Sequence, residues 1–226
     1  MKETGIIMSG DHPRKCLDGT KTVTRRTWGL EKINKDPDLW EKPFYDEVTG
    51  YWNFWQVNTG DVLSAKCPYG GVGDLLIMRE TWQLQMHSGC YDIAFKDGRL
   101  KDAGTLPYMT RYSHLRDKCW VWRPSIHMPY EFSRGLFEIL PGLRPEMLQE
   151  ITEEDARAEG IKLITGTYRP YDPETLEFTD IARPITHRHL FEGLWDSLNA
   201  SRGYPWAGNW WIWRIPYKKL ERQHVG

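Results

Sequence analysis

The sequence predicts an α+β fold: a mostly antiparallel sheet curled towards a barrel, with a few helices packed at its ends. Three observations predict it. Strand-like stretches outnumber helical ones. The later strand-like stretches lack regular intervening helices. The 226 residues contain no internal repeat, low-complexity tract or long linker. We read residues 1–226 as a single domain carrying three insertions, at about 28–60, 83–118 and 162–185.

Residues 5–8 read as a short buried strand. Ser9 or Asp11 can cap a helix beginning near Pro13, since proline suits the first turn. That helix stops at Gly19, and a strand follows to about Thr27. The first insertion is polar, aromatic and punctuated by Pro and Gly; residues 44–45 and 51–57 flank a hairpin turn at 46–50. Residues 67–74 form a dense turn before a buried strand at 75–79. The second insertion reads as irregular, with a strand-like piece at 91–95. Residues 120–122 read as a strand, and Pro124 and Pro129 hold 123–129 extended. A strand at 132–140 precedes a short helical turn at 144–148. Residues 152–160 read as a helix in which Thr152 and Asp155 resemble a capping box and Gly160 is the stop. The third insertion is loop-like. Thr186 caps a final helix to Asn199, striped by Leu190, Phe191, Leu194, Trp195 and Leu198. The last strand covers 209–217, with Trp211, Trp213, Ile215 and Tyr217 on one face. Pro216 signals an edge position or a bulge there. The tail after Leu220 is polar and frays.

A net charge of -1 gives no global basic field of the kind that holds long nucleic acid. Between His12 and Arg26, however, five Lys or Arg face a single Asp, which favours a focused anionic or polar ligand. No apolar run is long enough to span a bilayer and no signal-peptide pattern occurs, so no membrane partner is expected. Cys16, Cys67, Cys90 and Cys119 form no CxxC pair and no zinc spacing. We therefore expect reduced thiols in a cytoplasm, no metal and no cofactor. Most of the twelve tryptophans are expected in the core, with one or two lining a pocket.

Candidate chemistry centres on residues 19–26, Gly-Thr-Lys-Thr-Val-Thr-Arg-Arg. A lysine beside a hydroxyl is the minimum needed to make an alcohol nucleophilic without histidine. Taken alone, the octet reads first as a solvated basic strand edge, where lysine discourages aggregation. In a regular strand Lys21 and Thr24 face opposite ways, so their convergence requires a turned or bulged backbone. Glu80, at a strand end, is a candidate site carboxylate; its bland alternative is a surface ion pair with an arginine. Glu159 sits at the C-terminal end of its helix, where a carboxylate is disfavoured by up to about 1 kcal/mol. Extended geometry at 123–129 puts Arg123, Ser125 and His127 on one side. They read as a pocket wall or hydrogen-bond cluster rather than a serine hydrolase, because the pattern places no acid.

Gly19, Lys21, Thr24 and Arg26 match the G-x-K-x-x-T-x-R signature of the ASCH domain family, whose fold is PUA-like. The turn at Gly73-Asp74, the capped helix from Ile151 to Gly160 and the closing aromatic strand from Trp211 to Leu220 are similar as well. Residues 67–70 and 122–129 resemble the longer phage- and prophage-associated members. The resemblance implies a PUA-like curled barrel. It also implies an activity, since some small members are amidohydrolases acting on N(4)-acetylcytidine through a threonine, a lysine and a glutamate. By motif these carry over to Thr24, Lys21 and Glu159. Thr24 would attack the acetyl carbonyl or position a water. Lys21 would be neutral for part of the cycle, with a pKa lowered towards about 7–8. Glu159 would orient Lys21 or protonate the leaving amine, although an ion pair between them would oppose a base role for Lys21. Arg25 and Arg26 would repel a proton from Lys21 or stabilise an oxyanion. Glu80, Trp82, Arg123, Ser125 and His127 would complete the substrate pocket. The expected partner is a modified nucleoside or nucleobase. The alternative implied by the same fold is a non-catalytic reader of RNA or single-stranded nucleic acid.

Overall fold

Local chemistry starts the chain's elements and distant pairing decides their neighbours. A computed structural model describes residues 1–87, 90–102, 115, 118–168, 171–172, 177–178 and 183–221. In chain order its elements are β1 (Glu3–Ile7), α1 (His12–Leu17), β2 (Val23–Arg26), β3 (Phe44–Asp46), β4 (Tyr51–Trp55), β5 (Val62–Ala65), β6 (Leu75–Arg79) and β7 (Trp82–His87). There follow β8 (Cys90–Phe95), β9 (Leu100–Asp102), β10 (Trp122–Arg123), β11 (Leu136–Ile139), β12 (Arg144–Met147) and α2 (Glu153–Ala158). The last are β13 (Thr167–Tyr168), β14 (Tyr171–Asp172), β15 (Glu177–Phe178), β16 (Arg183–Pro184), α3 (His187–Asn199) and β17 (Trp211–Lys219). The fold is α+β and its ladders are mostly antiparallel, as the sequence predicts. The chain divides into two compact units: Met1–Gly19, Tyr69–Pro141 and Tyr217–Gly226 form one, Thr20–Pro68 and Gly142–Pro216 the other.

In the first unit β1 runs parallel to β6, from Glu3↔Leu75 to Ile7↔Arg79. β11 is antiparallel to β6 and to the last residues of β17, with Ile139 opposite Tyr217. Tyr217 also packs edge-on against Phe137, with centroids 5.1 Å apart. The second insertion is not irregular where it is described. β10, β7, β8 and β9 form a four-stranded meander, and β7 and β8 pair from Trp82↔Phe95 to His87↔Cys90. Alternation supplies its buried face: Trp82, Leu84, Ile93 and Phe95 pack with Met128 and Phe132. The polar composition hid this pattern.

Two further expectations hold only in part. The strand expected at 120–122 begins only at Trp122, in the two-residue β10; Trp120 takes a positive φ of 67° in a turn. Residues 123–129 are extended only at their ends, because Ser125–His127 close a 3-10 turn in which the His127 N–H donates to Pro124 O at 3.1 Å. A proline fixes its own φ and biases the residue before it, which left 125–127 free to turn.

In the second unit β17 pairs with β2 from Val23↔Pro216 to Arg26↔Trp213, and with β12 from Arg144↔Arg214 to Met147↔Trp211. Residues 144–147 are thus a strand, not a helical turn. Pro145 suggests a helix start in isolation, but pairing with a strand far along the chain decides otherwise. Pro216 lies beyond the last β12 pair, at the end of the β2 ladder. The Thr152 and Thr186 side chains accept from the Asp155 and His189 N–H groups, capping α2 and α3 at their expected starts. α3 buries Phe191 and Trp195 against Leu148, Ile151, Ala156, Trp206 and Ile212.

The hairpin of the first insertion forms, with Asp46 accepting from Val48 N–H at 2.9 Å and from the Thr49 hydroxyl at 2.6 Å. The stretch also enters the core. Phe54 meets Trp211 edge-on, and the Asn34 side chain both donates to Trp211 O and accepts from its N–H. Parts of the second and third insertions and the tail at 222–226 lie outside the described residues.

Candidate active site: a buried lysine, arginine and carboxylate network

The octet folds as two pieces with different partners. Gly19 takes a φ of +78°, open to glycine and ending the region of α1. Lys21 then forms an isolated antiparallel bridge with Glu159, and the Thr22 N–H donates to Ala158 O at 2.8 Å. From Val23 onward the chain pairs with β17 instead. This change of partner delivers Lys21 to the C-terminal end of α2, where Glu159 is the C-cap residue.

Lys21 Nζ pairs with Glu159 Oε2, although the two residues are 138 positions apart. The Arg25 guanidinium takes the other oxygen, with Nη1 donating to Oε1 at 3.2 Å. Arg25 also donates to Glu146 Oε1 from Nε at 3.1 Å and Nη2 at 2.7 Å, and to Asp155 Oδ2 at 2.8 Å. Arg214 grips Asp155 in two-pronged fashion, at 3.0 and 2.7 Å. Arg144 takes the remaining oxygen of Glu146 at 2.8 Å. Strand parity explains the convergence. Arg25, Arg214 and Arg144 lie opposite one another across β2, β17 and β12, and Glu146 is two residues from Arg144 on the same face. α2 brings Asp155 and Glu159 to that face.

The network is dry. Lys21 is 1 % exposed, Arg25 3 %, Glu146 4 % and Glu159 3 %. Burial works against ionisation of Glu159, but the charges of Lys21 and Arg25 outweigh it and hold the carboxyl below its ordinary value. Burial likewise opposes ionisation of Asp155, and Arg214 and Arg25 again prevail and hold it low. Both acids are therefore carboxylates at neutral pH. The same two cations offset the unfavourable helix-end position of Glu159.

Thr24 does not join this set. Arg25 reaches Glu159, so Thr24, the preceding residue of a regular strand, faces the other way. Its hydroxyl is fully buried and makes no hydrogen bond, like the Trp213 indole N–H on the same face. The backbone turn expected near Lys21 exists, but it falls before Val23 and leaves the alcohol on the opposite side of β2. Arg26 is partly buried and donates from Nη1 to Arg25 O at 3.0 Å.

The remaining sequence-predicted residues belong to the other unit. Glu80 is buried rather than superficial, and Arg134 grips both its oxygens at 2.8 Å; burial still pushes its carboxyl up. Trp82 is core, and the Arg123 guanidinium lies 5.0 Å from its ring centroid while donating to Lys118 O and Val121 O. Ser125 is half-buried and His127 exposed, on a turn rather than along one side of a strand.

Sequence reasoning missed Glu146, Arg144 and Arg214 and read Asp155 only as a cap. A signal existed: placing Trp211, Trp213 and Ile215 on one face puts Arg214 on the other. Cys16 and Cys67 are buried and Cys119 is half-buried, and no group of three or more His, Cys, Asp or Glu suited to a metal occurs among the described residues. No helix among them is long and apolar enough to cross a membrane. No family model, no curated protein and no solved structure matches this chain.

Proposed function

We infer that the chain is a PUA-like protein of the ASCH type that hydrolyses the acyl amide of N(4)-acetylcytidine or a related modified cytosine. The observation that carries this reading is the direct pairing of Lys21 with Glu159, two residues far apart in sequence that the resemblance nominates together. The α+β, mostly antiparallel architecture supports the PUA-like assignment.

The pairing favours a water route over attack by Thr24, whose hydroxyl lies on the other face of β2. In the water route Glu159 takes a proton as the water oxygen bonds to the acyl carbon. Lys21 donates to the carbonyl oxygen as it becomes negative. The C–N bond then breaks as the proton passes from Glu159 to the exocyclic nitrogen, giving cytidine and acetic acid, which loses its proton to solvent as acetate. A carboxylate held low by Lys21 is a weak base. An acyl group inserted between the two would part them, and Glu159 would become more basic as the ammonium recedes. The pair is buried, so binding must displace what covers it.

Incubation with N(4)-acetylcytidine, followed by separation of products, tests the reading. Cytidine release is expected, falling at least about 100-fold in Lys21→Ala and Glu159→Gln. No release, or release undiminished in Lys21→Ala, overturns it. A non-catalytic reader of RNA or modified bases is the second reading, favoured by the burial of Lys21, Arg25, Glu146 and Glu159 at the centre of the network. It requires oligonucleotide binding that weakens with salt and with Arg26→Gln.

A further inference from the structure

β3, β4 and β5 form a three-stranded antiparallel sheet in the second unit. One of its faces turns Phe54 into the core against Trp211. The opposite face of such a sheet is ordinarily polar, because it meets water. Alternation and register instead place Phe44, Tyr51, Trp55 and Val62 there, together with Asp46, Asn53 and Ser64. Contacts bear out the shared face. The Phe44 and Trp55 ring centroids are 6.4 Å apart, and the Ser64 hydroxyl donates to Asn53 Oδ1 at 2.5 Å. The four apolar residues are 41–49 % exposed, and the hydrolase reading does not use them.

The face is a grid of three rows, with Tyr51, Asn53 and Trp55 of β4 down its middle. Asp46 flanks Tyr51 on the β3 side. Lys66, the residue after β5, flanks it on the other side, with Nζ 5.7 Å from the ring centroid. Neither Asp46 nor Lys66 is ion-paired among the described residues. Opposite charges at two corners of one row make the grid complementary to itself. A two-fold axis parallel to β4 keeps each row in place and exchanges the outer strands. It sets Asp46 of each copy against Lys66 of the other, with Tyr51 and Trp55 meeting their own counterparts on the axis. The two sheets then stack aligned, as the layers of a β-sandwich do.

Charge argues against nucleic acid as the occupant. A single strand is held in a positive groove, whereas residues 41–66 carry two lysines against Glu41, Asp46, Glu47 and Asp61. Area sets the strength. Covering an aromatic side chain fully buries about 150–250 Å², so the three rings leave about 200–350 Å² in water per copy. Two copies pool about 400–700 Å² of ring surface, and standard interfaces start at about 1,200 Å² in total, so this one is weak and reversible.

We propose that this face is an interface between two copies of the chain, made by Phe44, Tyr51, Trp55 and Val62 and aligned by Asp46 and Lys66.

Sedimentation velocity of the full chain tests this over about 5–500 μM, where a weak interface passes through half-formation. The average mass is expected to rise with concentration towards twice that of the chain. Phe44→Ser/Trp55→Ser should stay monomeric throughout. Lys66→Glu should raise the dissociation constant at least about ten-fold, because the two-fold places a like-charge contact at both ends. Lys66→Arg should dimerise as the parent does. Lys66→Glu removes no ring contact, so it keeps the test intact should the Ser pair fail to fold. Lys21→Ala should also dimerise as the parent does, which separates this face from the hydrolase reading. A chain that stays monomeric at the highest concentration overturns the proposal, as does dimerisation undiminished in the Ser pair or in Lys66→Glu. An oligouridylate bound by the monomer and lost in the Ser pair would assign the face to nucleic acid and overturn it too.

Discussion

Arg25 is where residue-level chemistry is most concentrated. Its guanidinium serves Glu146, Asp155 and Glu159 and lies 5.8 Å from the Phe191 ring centroid. Removing one partner of a buried ion pair costs about 3–5 kcal/mol, because the other charge stays buried. Arg25→Met is therefore expected to lower the unfolding free energy by that amount, measured by urea denaturation. Thr24 gives the opposite expectation. A buried hydroxyl without a partner costs about 1–3 kcal/mol, so Thr24→Val should be neutral or stabilising in the same assay. It should also keep its activity on N(4)-acetylcytidine if water, not Thr24, attacks; loss of activity there would restore the alcohol to the mechanism.

At the scale of elements, what could be read from sequence was what is encoded locally. Thr152, Thr186 and Gly160 mark helix ends with side-chain or backbone chemistry within a few residues, and those ends stand. Thr152→Ala should remove about 1 kcal/mol of stability, seen as a shifted thermal midpoint, because the first turn of α2 loses its acceptor. Elements set by distant partners were not legible. β12 carries a proline that reads as a helix start, yet its pairing with β17 makes it a strand. The meander of β7 and β8 was masked by Gln83, Gln85 and Asp92, which alternate with its apolar residues. The same logic divides the site. Lys21 and Glu159 were reachable through a motif, whereas Glu146 was lost with its misread strand and Arg214 was passed over for its aromatic neighbours.

At the scale of the molecule, the buried carboxylates couple stability to acidity. Glu159 and Asp155 have folded values below their unfolded ones. Their contribution is fully present above the unfolded values, about 4, and is lost as pH falls through the lower folded values. Glu80 acts in the opposite sense: its folded value is raised, so its contribution declines as pH rises from its unfolded value through its folded one. The unfolding free energy should thus hold steady between pH 6 and 7 as far as Glu159 and Asp155 are concerned, and fall below about pH 4. Glu159→Gln should flatten that acid limb, as read from denaturation midpoints across a pH series.

β17 supplies the ladder partner of β2 from Trp213 to Pro216, near the far end of the chain. Synthesis proceeds from the N-terminus, so a growing chain exposes β2 and its two arginines long before the complementary strand leaves the ribosome. Contacts this remote slow folding and lengthen exposure of an unpaired edge. A stop codon ahead of Trp211 would strand β2 and β12 together, and such a fragment should be insoluble or rapidly degraded.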